Sequence, residues 1–293
     1  MNVSVIIPTF NHAEFVVEAI DSVSSSTSMK PEIIVVNDGS TDNTKELIHH
    51  DRRIRYFEQS NQGAHAALNF GIAQASHEVI AILNDDDIYK PEHLVRAVLQ
   101  MQTCGTDFVI GRAEPFGEGP LLKWVTNHML ICDQRIRDFG VIETLTELNF
   151  AISTSSMVFR KEVYMQGEGF LELSMCHDFE FLLRSVLKYR ASLHFSNVPT
   201  WKYRVHGANS SSRIKKLSSL AEWYFALFSN LVWAPDELRR HVEIFRFLPG
   251  MDANKMNEIQ KIVKLHKQNI GLNSCLSKIE EYITENEMLT LHS

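Results

Sequence analysis

The chain has 293 residues, of which 44% are hydrophobic and 22% charged, and its formal charge is −7. This composition excludes a disordered chain and a diffuse basic surface, so no nucleic-acid partner is expected; the length suits one large domain, alone or with a substantial appendage. Cys104, Cys132, Cys176 and Cys275 form no C-x-x-C pair, and the first residues lack a basic signal-peptide region. A reducing, cytoplasmic location is therefore expected.

Val3 to Ile7 is a β-branched run closed by Pro8, and Ala13 to Val23 then follows helical spacing through Phe15, Val16, Ala19, Ile20 and Val23. Strand and helix alternate again: strand Glu32 to Val36, helix Thr41 to His50 with Thr41 or Asp42 as its cap, strand Ile54 to Phe57, helix Ala64 to Ala75 and strand Glu78 to Leu83. Apolar strands alternating with amphipathic helices predict an α/β fold with a mostly parallel sheet flanked by helices, whose ligands sit beyond the carboxyl ends of the strands.

Farther on, the pattern predicts a helix from Pro91 to Gln102, a strand from Asp107 to Arg112, and a loop from Ala113 to Gly119, where Pro115, Gly117 and Gly119 cluster. A strand at Ser155 to Arg160 and a helix at His177 to Tyr189 follow. From about Ser212 only helical patterns remain, Leu217 to Trp233 and Met256 to Ile283 among them, so the expected organisation is a domain over 1–211 and a helical region over 212–293. The aromatic segment Glu222 to Phe228 is too interrupted for a membrane span. It reads as a helix packed on the domain or on a second copy of the chain, with an interfacial contact at the inner face of a membrane as the second explanation.

The apolar run Ile80 to Leu83 ends in Asn84-Asp85-Asp86-Asp87. Three adjacent carboxylates repel one another unless water or a cation compensates them, and hard divalent cations prefer carboxylate and phosphate oxygens. A nucleoside diphosphate would complete such a shell. The competing explanation is a turn ahead of the helix that Pro91 and Glu92 open.

Three blocks strongly resemble the family-2 glycosyltransferases of the GT-A fold: Val3-Ser4-Val5-Ile6-Ile7-Pro8-Thr9-Phe10-Asn11, Ile34-Val35-Val36-Asn37-Asp38-Gly39-Ser40-Thr41-Asp42, and Leu83-Asn84-Asp85-Asp86-Asp87 with Pro91. The resemblance continues through Asn61-Gln62-Gly63, Ala67-Leu68-Asn69, His177 to Arg184 and Tyr203 to Ser210, in the family's order, over roughly the first 210 residues. It implies a Rossmann-like GT-A domain with a C-terminal helical extension, and an inverting transfer of sugar from a UDP-sugar to a saccharide or lipid-linked saccharide.

The resemblance also implies roles. Pro8, Thr9 and Phe10 would cup the nucleobase, Asp38 would accept the uracil N3–H, and Gln62, Gly63, Asn84 and Asp85 would complete the nucleotide-sugar site, Asp85 at the ribose. A carboxylate suits that N–H because cytosine has no proton at the same ring position. Asp86 and His206 would hold Mg²⁺ or Mn²⁺ on the diphosphate, with Arg204 nearby and Asp87 supporting the cluster or capping the next helix. Asn84 stands where the family's Asp-x-Asp motif has its first carboxylate, and His177 stands where a Glu-Asp pair has its Glu. Asp178 would be the general base that takes the acceptor's proton, with Glu180 as the alternative unless Arg184, four residues on, pairs with it.

Asn84 and His177 also motivate a rival reading, a catalytically weak sugar-nucleotide-binding or scaffold protein of a glycan assembly complex. A nucleotidyltransferase is disfavoured because no glycine-rich basic loop follows the first strand. Ser210 to Lys216 is polar enough to form a lid over bound donor.

Overall fold

Eight strands are assembled into one sheet: β1 (Val3–Thr9), β2 (Glu32–Asn37), β3 (Ile54–Glu58), β4 (Val79–Ile82), β5 (Ile88–Tyr89), β6 (Phe108–Gly117), β7 (Met157–Arg160) and β8 (Leu193–Val205). They lie in the order β3-β2-β1-β4-β7-β6-β8-β5. β1 is parallel to β2 and β4, β2 to β3, and β6 to β8, whereas β7 is antiparallel to β4 and β6, and β5 to β8. All strands except β5 and β7 therefore run the same way, as the alternating pattern predicts. The computed structural model describes residues 1–25, 29–207, 209, 216–244, 253–265 and 271–286.

Backbone contacts group the chain into two units. The first comprises Met1–Met129, Ala151–Leu171 and Ala191–Gly207 and holds the whole sheet. Its helices include α1 (Val16–Ser24), α2 (Thr44–Ile48), α3 (Ala64–Gln74), α4 (His93–Cys104) and α7 (Lys161–Met165). β1 and β2 are buried along almost their whole length, as strands covered on both faces must be. Val5, Ile7, Ile20, Val35, Ala81, Leu94 and Trp201 belong to one buried cluster, where each large aliphatic side chain contributes about 1.5–3 kcal/mol. Close packing extends to α3, where a methyl group on Gly71 would lie 2.5 Å from Ile6 Cγ2.

The helices start later than the periodicity suggests. Phe15, with no side-chain cap, precedes α1, and α2 is confined to Thr44–Ile48 after Asn43. Asp42 still serves this turn, because its Oδ1 accepts from Thr44 N and Oγ1 at 3.1 and 2.6 Å. The loop expected at Ala113 to Gly119 is corrected: β6 runs through Gly117 beside β8, with its register shifted on both sides of Arg112. Past Ile110 no strand among the described residues pairs with the other edge of β6, and an edge is where a sheet tolerates a proline such as Pro115. Gly111, at the shift, lets Thr200 and His93 approach where a Cβ would stand 2.7 and 2.8 Å from their atoms.

The second unit comprises Leu130–Phe150, Glu172–Arg190 and Ala208–Ser293. Its helices are the second half of α5 (Pro120–Phe139), then α6 (Val141–Glu147), α8 (His177–Leu187), α9 (Lys216–Leu231), α10 (Asp236–Ile244), α11 (Ala253–Leu265) and α12 (Leu272–Glu285). α9 packs on α8, α11 and α12, and α10 on α6. The aromatic segment lies on α9 with Tyr224, Phe225 and Phe228 buried. The grouping is discontinuous: it joins Leu130–Phe150 and Glu172–Arg190 to the C-terminal helices. The boundary expected at Ser211, and the polar segment Ser210 to Lys216 up to the first residue of α9, lie outside the described residues. Among the described residues no helix is long and apolar enough to cross a membrane.

Candidate functional site

Because β1, β2, β3, β4 and β8 run in one direction, the segments that follow them leave the same edge of the sheet. β7 runs the opposite way, so the 3₁₀ turn Thr154–Ser156 that feeds it starts from that edge too. Hydrogen bonds tie these segments together. Asp38 N donates to Thr9 O at 2.9 Å. Asn11 sits at φ 55°, and its Oδ1 accepts from Thr41 N at 2.7 Å, fixing the first loop against the second.

Pro8 and Thr9 are the last residues of β1, paired with Val36 and Asn37. Thr9 is buried, while Phe10 is 39% exposed. Asp38 is buried and uses both oxygens within the chain: Oδ1 accepts from Gln59 Nε2 at 2.7 Å and Gln62 N at 2.9 Å, and Oδ2 from Gly63 N at 2.8 Å. Gly63 opens α3 at φ 92°, a value at which a Cβ would be strained. Asp38 thus shapes the Gln62-Gly63 turn, and of its about four lone-pair positions one remains, on Oδ2.

The four polar residues after β4 take separate directions. Asn84 faces the 3₁₀ turn, with Nδ2 donating to Ser153 Oγ at 3.0 Å and Oδ1 accepting from Thr154 Oγ1 at 2.7 Å. Asp85 meets His12 Nδ1 at 2.8 Å and accepts from Phe10 N at 3.3 Å. Asp86 Oδ2 lies 3.0 Å from His206 Nε2. Asp87 accepts from Arg204 N at 3.0 Å and Ser155 Oγ at 2.6 Å. It therefore ties β8 to the 3₁₀ turn and caps no helix; β5 follows it. Burial raises the Asp85 carboxyl above the usual carboxylate range against the opposing His12 bond, and burial followed by the Asp86 charge raises Asp87 well above it. Of the acidic run, Asp85 and Asp86 thus each stand beside an imidazole, that of His12 and that of His206.

Arg204 closes this side. Its Nε donates to Asp86 O at 2.8 Å, its guanidinium meets Glu18 at 2.5 Å, and it lies 4.7 and 4.6 Å from the Phe15 and Phe116 ring centres. The His206 ring is 4.9 Å from Phe15 and 5.7 Å from His12. The first unit accordingly brings together Thr9, Phe10, Asp38, Gln62, Gly63, Asp85, Asp86 and His206, and turns the Asn84 amide away onto hydroxyls.

In the second unit, Asp178 lies in the first turn of α8 and is buried. Its Oδ1 accepts from Phe179 N at 2.6 Å and its Oδ2 from Asn149 Nδ2 at 3.3 Å. Burial raises its pKa, with His177 and the Phe179 N–H acting in the opposite sense. Glu180 is spent on a buried pair, receiving Arg184 Nε at 2.8 Å and Nη2 at 2.9 Å, with Asn230 Nδ2 at 3.3 Å from the same oxygen as Nε. That leaves Asp178 as the first-turn acid outside an Arg pair.

Several partners went unread in the sequence. His12 carried a signal in directly following Asn11 of the first loop, and Ser153-Thr154-Ser155 is a hydroxyl run ahead of a strand. Asn149 carried none.

Among the described residues no three His, Cys, Asp or Glu side chains converge as a metal cluster. Asp86 and His206 nevertheless fit a cation that a diphosphate helps to hold. Ligands about 2.1 Å from an octahedral ion stand about 3 Å from one another, and Asp86 Oδ2 and His206 Nε2 are 3.0 Å apart.

Residues 4–167 match the family model described as Glycosyl transferase family 2. An uncharacterized glycosyltransferase of Nostoc sp. is 42% identical over 108 residues, 35% of this chain and 34% of that protein. An uncharacterized glycosyltransferase of Rickettsia felis is 31% identical over 220 residues, 72% of this chain and 35% of that protein. The matched stretch thus spans about a third of the length of these two relatives. Among solved structures, S. aureus TarS 1–349 in complex with UDP-GlcNAc superposes with a TM-score of 0.68 at 19% identity, over 100% of this chain and 91% of that one. The mannosyltransferase PcManGT from Pyrobaculum calidifontis, in complex with GDP-Man and Mn²⁺, gives a TM-score of 0.61 at 15% identity, over 99% and 84%. These likenesses establish the fold, a curled and mostly parallel GT-A sheet flanked by helices.

Proposed function

The chain belongs to glycosyl transferase family 2, and on that premise we propose that it moves a sugar, with inversion, from a UDP-sugar to a hydroxyl of a saccharide or lipid-linked saccharide. The observation that carries the reading is the 3.0 Å approach of Asp86 to His206 at the sheet edge that also bears Thr9 and Asp38. Thr9 and Phe10 would lie against the base, Asp38 would accept the uracil N3–H, Asp85 would meet the ribose, and the Gln62-Gly63 turn would line the pocket. Asp86 and His206 would hold Mg²⁺ or Mn²⁺, which when bound supplies positive charge against the departing diphosphate.

Asp178 would take the acceptor's proton. A base must be ionised at working pH yet basic enough to accept, and burial raises Asp178 in the useful direction while its α8 position favours the charged form. Reaction from the face opposite the diphosphate inverts the anomeric centre. Asn84 detracts little from this, since its amide holds the 3₁₀ turn and Asp86 already supplies the carboxylate.

Hydrolysis and transfer across a panel of UDP-sugars and acceptors, with and without Mn²⁺, tests the reading. Turnover should need the metal and be lost in Asp178→Asn, with UDP affinity held within about threefold. Full activity in that variant would refute the choice of base. UDP binding without turnover on any donor would favour the scaffold protein instead. A membrane-face location, a reducing compartment and self-association through the C-terminal helices remain part of the proposal, to be tested by fractionation and light scattering.

A further inference from the structure

Glu222 lies on α9, is 4% exposed, and falls outside the family blocks. Its Oε1 accepts from Ser174 N at 2.8 Å, and its Oε2 from Met175 N at 2.7 Å and Cys176 N at 3.0 Å. Three successive amides of the turn entering α8 thus converge on one buried carboxylate. Cys176, the residue preceding α8, offers no side-chain cap. Glu222 leaves the N–H groups inside the first turn of α8 to other acceptors and holds the three amides that lead into it, the last of them 46 residues away in the chain.

Resting on the reading of Asp178 as the base, we propose that Glu222 is the positioning residue that sets the first turn of α8 and so aims the Asp178 carboxylate. Apolar packing alone would hold α8 against α9, since Phe179, Phe181, Leu182 and Leu183 are all buried. A buried carboxylate is costly unless it is well bonded, so an apolar side chain would fill that space at lower cost. What three charge-assisted bonds add is direction: they fix the rotation of residues 174–176, and Asp178 is two residues farther on. Its own bonds to Phe179 N and Asn149 then place its oxygens.

The Cys176 thiol is pushed well up by burial and then by the Asp178 and Glu222 charges, so both carboxylates lie near it. The groups facing this turn are Cys176 and His177 at the start of α8, Asn149 from the stretch after α6, and Glu222 from α9.

The test uses the full chain and whichever UDP- or GDP-sugar it hydrolyses. In Glu222→Gln a single amide oxygen replaces two carboxylate oxygens, so at least one N–H loses its acceptor. The expected result is a kcat lowered about 10- to 100-fold, the effect of small misplacement of a catalytic group. KM and UDP affinity should stay within twofold, and the acid limb of the pH–kcat profile should move to lower pH as a nearby negative charge is removed. Glu222→Asp keeps the charge but is one methylene too short; its kcat should fall with the acid limb in place. Wild-type kcat in either folded variant, or UDP affinity lost in step with kcat, would overturn the proposal. Should neither variant fold, amide hydrogen exchange on the wild type decides: slow exchange at Ser174, Met175 and Cys176 supports the clamp, and exchange at unprotected rates overturns it. The two readings fail separately. Full activity in Asp178→Asn removes the base, whereas an inactive Asp178→Asn beside fully active Glu222 variants removes only the positioning role.

Discussion

Replacing Asp38 by Asn changes one oxygen to an amino group and removes one charge, with almost no change of shape. In the native chain the two oxygens receive Gln59 Nε2, Gln62 N and Gly63 N at 2.7–2.9 Å. Whichever way the amide turns, at least one of these donors faces another donor. The least costly orientation points the amino group at Gly63 N, forfeiting one charge-assisted bond worth about 1.5–3 kcal/mol. The two remaining bonds become neutral and lose about 0.5–1 kcal/mol each. The sum is about 2.5–5 kcal/mol, measurable as a lowered urea midpoint at unchanged slope. Nucleotide binding should change in the same variant. The wild type is expected to prefer UDP to CDP, and Asp38→Asn should weaken UDP at least tenfold and narrow that preference, because an amide can also donate to the cytosine ring nitrogen. A stability within 0.5 kcal/mol of wild type would refute the structural part of this reasoning, and an unaltered UDP-to-CDP ratio the recognition part.

Acid should destabilise the first unit through His93. This side chain is buried, bonds Thr200 Oγ1 at 2.8 Å, and has its pKa lowered from 6.5 to about 3 by burial. Its folded pKa lies below its unfolded one, so the unfolded chain binds the extra proton: stability is intact above pH 6.5 and falls as pH drops from there toward 3, by up to about 5 kcal/mol. In His93→Gln the proton uptake that accompanies unfolding near pH 5 should drop by about one, and an unchanged uptake would contradict this. Gly71→Ala should cost about 1–3 kcal/mol in urea unfolding despite alanine's better helix propensity, because the new methyl meets Ile6 Cγ2 at 2.5 Å; a stabilised variant would contradict the packing.

The sheet was legible because its strands are continuous apolar runs and each ends in a loop with its own chemistry, from Pro8-Thr9-Phe10 to Asn84–Asp87. β6 was misread because Pro115 and Gly117 break helices and central strands alike, and only the pairing shows that among the described residues this length of β6 is bonded along one edge. In the site, Asp86 and His206 could be paired from motif order. The direction of Asn84 could not, since it is set by the Ser153–Ser155 hydroxyls, about 70 residues away in the chain. The same limit hid His12 beside Asp85 and Asn149 beside Asp178, pairs that tertiary contact creates and local spacing leaves unmarked. Glu222 read as an interruption in an aromatic segment, and its three amide partners give it a different meaning.

The central claim is that Asp86 and His206 hold a divalent ion on a uridine diphosphate at the sheet edge. Calorimetric titration with UDP, with and without Mn²⁺, on the wild type and on Asp86→Ala tests it most directly. The account predicts metal-dependent binding to the wild type and at least a tenfold loss in Asp86→Ala; UDP binding that ignores both the metal and the substitution would contradict it.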